Sequence, residues 1–464
     1  KHLEMAIAGS PGWSVTGGPW VAAPDGMKKY VWTETIVKGG EKIATALPKP
    51  SSITGPAQNR PFDAGGFGIP DSKKQEFYQD VAVIAYPISQ QEIDLQNIKP
   101  VVSSSGGIFS FSALSDGDLE NFSYLPPREI GEDAWIQYEF PEATEIGSVT
   151  IANEGYGELA AFNGGPQNRS LQYSLNGTDF MELIKIPGSI TAQTTVSFIP
   201  LKAKYIRLCY KTLPIADPGI GAFFGMQADT KPKGTKVSEF SVQSSMKVHR
   251  FEAKAGFEPW KEENHEVKIN TIGPHPDQII DLTSLMKPDG SLDWVAPAGN
   301  WMIYRFGYSL TGQKNHPASP EATGLEVDKL DPGAVTRYLE NYLDQYKEAT
   351  GGLMGAEGLS HMVLDSYEAG HMTWTNNMLE AFKSKRGYDL RPWLPVLVGR
   401  IIIDLKTSEK ILWDFRKTIG EMIVENHYEL IGNLLAKKGM KRYTESHENG
   451  RIFLADGMDV KRKA

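Results

Sequence analysis

Two different periodicities run through this chain, and no single core can satisfy both. Between Val101 and about Ser245 only short strands can be read: Trp135–Phe140, Ile146–Ile151, Ser170–Ser174, Thr195–Phe198 and Lys204–Tyr210. Turn signals such as Asn176-Gly177 separate them, and no helical spacing appears, so this stretch predicts an antiparallel sandwich. From Asp331 onward the pattern changes. Apolar positions 335, 338, 339, 342 and 343 recur at helical spacing behind Pro332, a residue suited to the first helical position. Further helices are expected over Asn376–Arg386, closed by Gly387, and over Ser408–Lys438, capped by Ser408 and stopped by Gly439. They frame strands at 361–368 and Met440–Glu445, an order that predicts parallel neighbours with right-handed crossovers. Earlier strands are expected at His2–Gly9, Tyr30–Val37 and Asp80–Pro87, the last apolar enough to be buried on both faces. The fold class is therefore α/β plus all-β. Residues 1–100 begin a barrel-like domain, 101–245 form the inserted sandwich, and 246–464 hold a linker and the remaining barrel segment.

Length and composition narrow the functional classes. A chain of 464 residues exceeds one core, so two or three domains are expected. The net charge of −9, without a long basic run, argues against nucleic acid or an anionic membrane as the main partner. The longest apolar run, Leu394–Ile403, is broken by Gly399 and Arg400 and is too short to span a bilayer. A lone cysteine, Cys209, excludes an internal disulfide and reads as a buried small hydrophobe. This rules out a disulfide-stapled scaffold but not a periplasmic or extracellular enzyme. Opening at Lys1 without an initiator methionine, the chain reads as a piece of a longer protein.

The chemistry concentrates in Leu359–Trp374. Met362–Leu364 runs straight into Asp365, Tyr367 and Glu368, followed by Gly370. In parallel α/β architectures, chemistry sits at the carboxyl ends of strands, where loops vary without harming the core. Asp365 and Glu368 would point to opposite faces of an unbroken strand; they share a pocket if the strand ends near Ser366. Glu445 ends the next strand, with Glu448 behind it, and a βαβ unit brings both ends to one rim. Two carboxylate clusters at one rim suit glycoside hydrolysis, one acid protonating the leaving oxygen and the other group working on the opposite ring face. The same acids could instead cap a helix, pair with arginine, or bind a hard cation such as calcium. No EF-hand loop, HExxH helix, Walker or Rossmann glycine pattern is present. The nine histidines lack ligand spacing, so His361, His371, His427 and His447 take solvated or core roles. The Gly/Pro/Ser loop 10–20 carries Trp13 and Trp20, whose rings either stack on a sugar or pack inward.

Two resemblances add to this reading. Leu114-Ser115-Asp116-Gly117-Asp118, the Trp135 strand, Gln172–Phe180 and Ala203–Leu208 resemble a discoidin-like (galactose-binding-like) jelly roll. The chain outside that insert resembles glycoside hydrolase family 106, the α-L-rhamnosidases. The resemblance is carried by Ser10–Trp13 with Gly17–Trp20, Arg305-Phe306-Gly307 with Asn315–Ala318, and Gly324–Lys329. Asp365-Ser366-Tyr367-Glu368, Trp374-Thr375, Arg386–Asp389 and Leu412–Arg416 extend it. It implies a TIM-like (β/α) barrel that this chain need not complete, a calcium ion at the sugar, and a periplasmic or extracellular location. It also implies an inverting exo-α-L-rhamnosidase acting on oligo- or polysaccharide, with Glu368 as general acid and Asp365 beside it. Glu445 becomes a substrate or metal contact, the base lying after Ala464. The implied substrate-binding set is Trp13, Trp20, His316, Glu326, Asp328, Tyr367, Trp374 and Glu448, and the calcium ligands are left open. The rival readings are a non-catalytic carbohydrate-binding protein and a glycosidase of the same fold acting on another sugar.

Overall fold

The computed structural model describes residues 4–11, 16–43, 45–51, 75–119, 121–153, 168–188, 191, 193–214, 231–258, 271–315, 318–365 and 370–444. The chain divides into two compact units, one of 1–87, 252–264 and 272–464, the other of 88–251 and 265–271. The boundaries read from sequence, 101 and 245, fall inside the second unit. It takes in the helix Gln90–Asn97, capped by the Ser89 hydroxyl, which adds Leu95 to the sandwich core.

That second unit is antiparallel throughout. Ser123–Leu125, Thr235–Gln243, Asp133–Asn153, Gln193–Lys211, Arg169–Ser174 and Met181–Ile186 pair in that order, and Val101–Ser104 joins Asp133–Asn153. Alternate residues Ile136, Tyr138, Phe140, Val149 and Ile151 face one core, where the Tyr138 and Phe240 rings stack at 4.5 Å. Four strands read from sequence become two here. Pairing of Asp133–Asn153 with Gln193–Lys211 continues across a bend, where the register slips between Ser197 and Leu201. Pro141 and Pro200 lie in that bend and withhold the amides a continuous ladder needs. Cys209 is buried, and burial pushes its thiol up to about 12.

The first unit holds two main sheets. Met5–Ala8, Leu359–Leu364 and Lys441–Thr444 form a parallel sheet with Leu359–Leu364 in the middle. Leu359, Met362 and Leu364 are buried in it. Helices Pro332–Ala349, Met378–Arg386, Leu405–Ile423 and Leu430–Lys437 supply the connections that parallel strands require. The Asp331 carboxylate accepts from the Gly333 amide at 2.8 Å, with Pro332 in the first turn. Gly387 ends its helix at φ +84°, a left-handed position that glycine adopts without strain.

Two expectations are corrected here. Ser408 is not the cap. Asp404 is, because its carboxylate reaches the Thr407 amide at 2.6 Å, while Ser408 sits in the first turn and donates back to the Asp404 carbonyl. The runs at 30–37 and 80–87, assigned from sequence to the barrel, instead join Asn300–Leu310 and Ile280–Asp281 in an antiparallel four-stranded sheet. Among the described residues the parallel sheet has three strands, and a closed barrel is not shown.

Candidate active site

The parallel sheet sets three strand ends almost level. Ala8 lies opposite Val363, and Leu364 lies opposite Thr444, so the chain leaves the last two strands side by side. The segment after Met5–Ala8 is tied to the same edge. The Gly9 amide donates to the Val363 carbonyl at 2.8 Å, and Ser10 is buried. Two tyrosines on one face of Pro332–Ala349 hold it from behind. Tyr338 donates to the Gly9 carbonyl at 2.7 Å, and Tyr342 to the Ala8 carbonyl at 3.0 Å. Asp365, the first residue past its strand, is half-buried. Trp13, His316, Tyr367, Glu368, Glu445 and Glu448 lie outside the described residues.

Behind this edge sits a buried ionic framework. Glu326 Oε2 meets Lys329 Nζ at 2.6 Å, with both side chains closed to solvent. Lys329 also donates to the Thr16 carbonyl at 3.3 Å. The Thr16 hydroxyl in turn lies 2.9 Å from His427 Nε2. His427 stands in a single π-helical turn, Val424–Glu429, between two α-helices. Burial, then the nearby Lys329 and Arg442 charges, holds its imidazole well below the usual range, so it is neutral. Asp328 forms a second node: Oδ2 accepts from Lys28 Nζ at 2.9 Å and Thr375 Oγ1 at 2.8 Å, and Oδ1 from the Leu330 amide at 3.0 Å. The Lys28 carbonyl accepts from the amides of Thr373 and Trp374 at 3.1 and 3.3 Å. Residues 28, 328 and 373–375, distant in sequence, are thereby stitched together.

Three of the residues expected from sequence as substrate contacts, Glu326, Asp328 and Trp374, lie in the interior. Asp328 is fully buried with both oxygens engaged, and Glu326 faces an ammonium inside the protein. Trp374 is 2% exposed and packs 6.1 Å from both the Tyr30 and Phe415 rings. All three side chains are buried and engaged within the protein. Trp20 is 38% exposed, with its ring 5.5 Å from Tyr342. His371, half-buried beside Gly370, is pushed down to about 4 by burial and is neutral.

The lysines were invisible to sequence reasoning because Lys is rarely interior unless paired. The Glu326-to-Lys329 spacing was the available signal, whereas the Asp328 partner lies 300 positions away. Among the described residues no group of three or more His, Cys, Asp or Glu side chains is gathered to hold a metal ion, and Glu326 and Asp328 each already face a lysine ammonium. Among the described residues no helix is long and apolar enough to cross a membrane.

The chain thus combines a unit whose adjacent parallel strands end at one edge with an antiparallel sandwich inserted in the sequence. The comparisons with known proteins carry this further. The family description alpha-L-rhamnosidase, glycoside hydrolase family 106, matches residues 1–464, and the chain belongs to that family of glycoside hydrolases. It is similar to the solved rhamnosidase from Novosphingobium sp. PP1Y, at 33% identity and a TM-score of 0.82. That match covers 100% of this chain and 41% of the other. A protein of Formosa agariphila named as a putative beta-glucuronidase is 38% identical over 170 residues, covering 37% of this chain and 14% of its own length. The chain thus spans well under two thirds of both relatives.

Proposed function

We propose that this chain supplies part of the active site of an exo-acting α-L-rhamnosidase, which releases terminal rhamnose from plant or bacterial polysaccharide with inversion. Glu368 protonates the leaving glycosidic oxygen, Asp365 orients that acid or binds the sugar, and Glu445 contacts the substrate from the neighbouring strand end. Trp13, Trp20 and His316 complete the sugar pocket. The enzyme works in the periplasm or outside the cell, where polymeric glycan is met.

One observation supports this most. Parallel pairing sets Leu364 opposite Thr444, so the segments beginning at 365 and 445 start from one edge of one sheet. The Tyr338, Tyr342 and Asp328 contacts supply the rigid backing that a pair of carboxylates needs to keep a fixed separation. The test is Glu368→Gln in the full-length protein. Hydrolysis of an aryl α-L-rhamnoside with a poor leaving group should fall by about 10²- to 10⁴-fold, the usual worth of a general acid. Binding of the glycan should persist, and the wild-type product should appear as the inverted anomer by NMR. Undiminished hydrolysis by the variant would reject Glu368 as the acid.

A second reading has its own observation, the similarity to a protein named as a putative beta-glucuronidase. On that reading the same rim acts on a uronide. Side-by-side rates on aryl α-L-rhamnoside and aryl β-D-glucuronide decide between the two.

A further inference from the structure

One helical turn in the first unit reaches three separate segments at once. It is the π-helical stretch Val424–Glu429, set between the helices Leu405–Ile423 and Leu430–Lys437. Three consecutive residues in it each hold a different part of the chain. Asn426 Nδ2 donates to the Leu330 carbonyl at 2.7 Å. His427 Nε2 lies 2.9 Å from the Thr16 hydroxyl. The Tyr428 carbonyl accepts from Arg442, in the strand Lys441–Thr444. A regular α-helix keeps its carbonyls within its own ladder and sets successive side chains about 100° apart. A π-bulge breaks that ladder locally, and single bulges of this kind occur often at functional sites.

Two of the held segments are also joined to each other. Leu330 is fixed from both sides, its carbonyl by Asn426 and its amide by Asp328 Oδ1. Thr16 is likewise held twice: its hydroxyl meets His427, and its carbonyl accepts from the Val327 amide at 3.2 Å and Lys329 Nζ at 3.3 Å. Gly17 and Gly18, next in the chain, pair with Glu326 and Leu325. The arrangement carries a cost at His427. Its ring is fully buried and its Nδ1 has no hydrogen-bond partner, so among the described residues Thr16 is its only polar contact. Phenylalanine would fill the same space without an orphaned nitrogen, so packing alone does not call for histidine there.

We infer that this π-turn is a positioning element of the proposed rhamnosidase site, with His427 a positioning residue that acts through Thr16 on the loop bearing Trp13 and Trp20. This rests on that loop being the one that grips the sugar. Because the polar contact of His427 is with the loop, its loss should weaken substrate binding and leave the turnover of bound substrate nearly intact. A general loss of stability does the opposite: it lowers the amount of folded enzyme, which reduces apparent kcat and leaves KM in place.

Three variants of the full-length protein test this: His427→Phe, Thr16→Val and Thr16→Ser. The first two remove the bond from either side, and the third keeps it. On an aryl α-L-rhamnoside, KM should rise about fivefold or more in His427→Phe and Thr16→Val, the worth of one buried hydrogen bond, with kcat within about twofold. Thr16→Ser should stay near wild type, and the double variant of His427→Phe with Thr16→Val should be no worse than the poorer single. Hydrogen exchange on the same proteins reads the tie without substrate. Peptides spanning 16–18 and 325–330 should exchange about threefold faster or more in the first two variants, with Leu405–Ile423 unchanged. Unchanged exchange in those peptides, a fall in kcat at constant KM, or additive losses in the double variant would each overturn the proposal. If the wild-type protein does not hydrolyse the rhamnoside, the proposed activity fails instead, and the exchange result alone decides whether His427 holds Thr16.

Discussion

Lys28→Met isolates the contribution of the buried framework behind the rim. Lys28 is 2% exposed, and its ammonium sits 2.9 Å from Asp328, which is fully buried. Methionine fills the same volume without the charge. Asp328 then keeps two neutral donors, Thr375 and the Leu330 amide, but loses its counter-ion. Removing one member of a buried pair typically costs about 3–5 kcal/mol, because the remaining charge is uncompensated. The two surviving hydrogen bonds place this case near the lower end, at about 3 kcal/mol. For a unit of this size that is a fall of roughly 6–12 °C in melting temperature, at about 2–4 °C per kcal/mol. Calorimetry on Lys28→Met, Asp328→Asn and the double variant measures it. The double variant should be destabilised by about 2 kcal/mol less than the sum of the singles, since the neutral amide no longer needs the lysine. Turnover should drop as well, because Thr375, which follows the 373–374 amides anchored on the backbone carbonyl of residue 28, is held by the Asp328 carboxylate that loses its counter-ion. Additive costs below about 1 kcal/mol, with turnover unchanged, would show that the pair is incidental.

Two further outcomes follow from local geometry. Burial pushes the Glu239 carboxyl up to about 8, so the folded sandwich holds a proton that the unfolded chain releases near its ordinary carboxylate range. The unfolded state therefore binds fewer protons between about pH 4.5 and 8, and stability falls across that window as pH rises, by at most about 1.4 kcal/mol per unit. Glu239→Gln should flatten that slope in urea titrations at successive pH values, and an unchanged slope would remove Glu239 as its source. Gly324→Ala would set a Cβ 2.0 Å from the Gly18 carbonyl, in the ladder where Leu325 pairs with Gly18. The strand Gly17–Gly18 must then part from Leu325–Glu326, and aryl-glycoside turnover should fall well over tenfold; near-wild-type activity would show the ladder is dispensable.

What the sequence revealed followed the range of the interaction concerned. Pro332 at the first helical position, Gly387 and the stop at Gly439 were legible because a helix end needs only its own turn. The Ser408 cap was misplaced by a related local ambiguity: Asp404 and Ser408 both carry capping oxygens, and the choice depends on which one reaches an amide three residues on. The strands at 28–38 and 78–88 were recognised as strands but given to the wrong sheet. An apolar run is compatible with parallel or antiparallel burial, and only its partner, here Asn300–Leu310, fixes which.

The site shows the same division. Asp365, Glu368 and Glu445 could be picked out as acids following strands, yet the edge those two strands share depends on the register of Leu364 with Thr444, which no local pattern encodes. Glu326, Asp328 and Trp374 had the chemistry of sugar contacts but not the exposure, since Lys28 and Lys329 turn inward to meet the acids. A buried lysine is tolerable only when a carboxylate neutralises it, so each pair links two segments that must fold together or not at all. Those segments, 16–28, 326–329 and 373–375, flank the strand ends that carry the acids of the proposed reaction. An enzyme that needs two carboxylates held at a set spacing on separate strands gains most from rigid ties just behind them, and that is where these ion pairs lie.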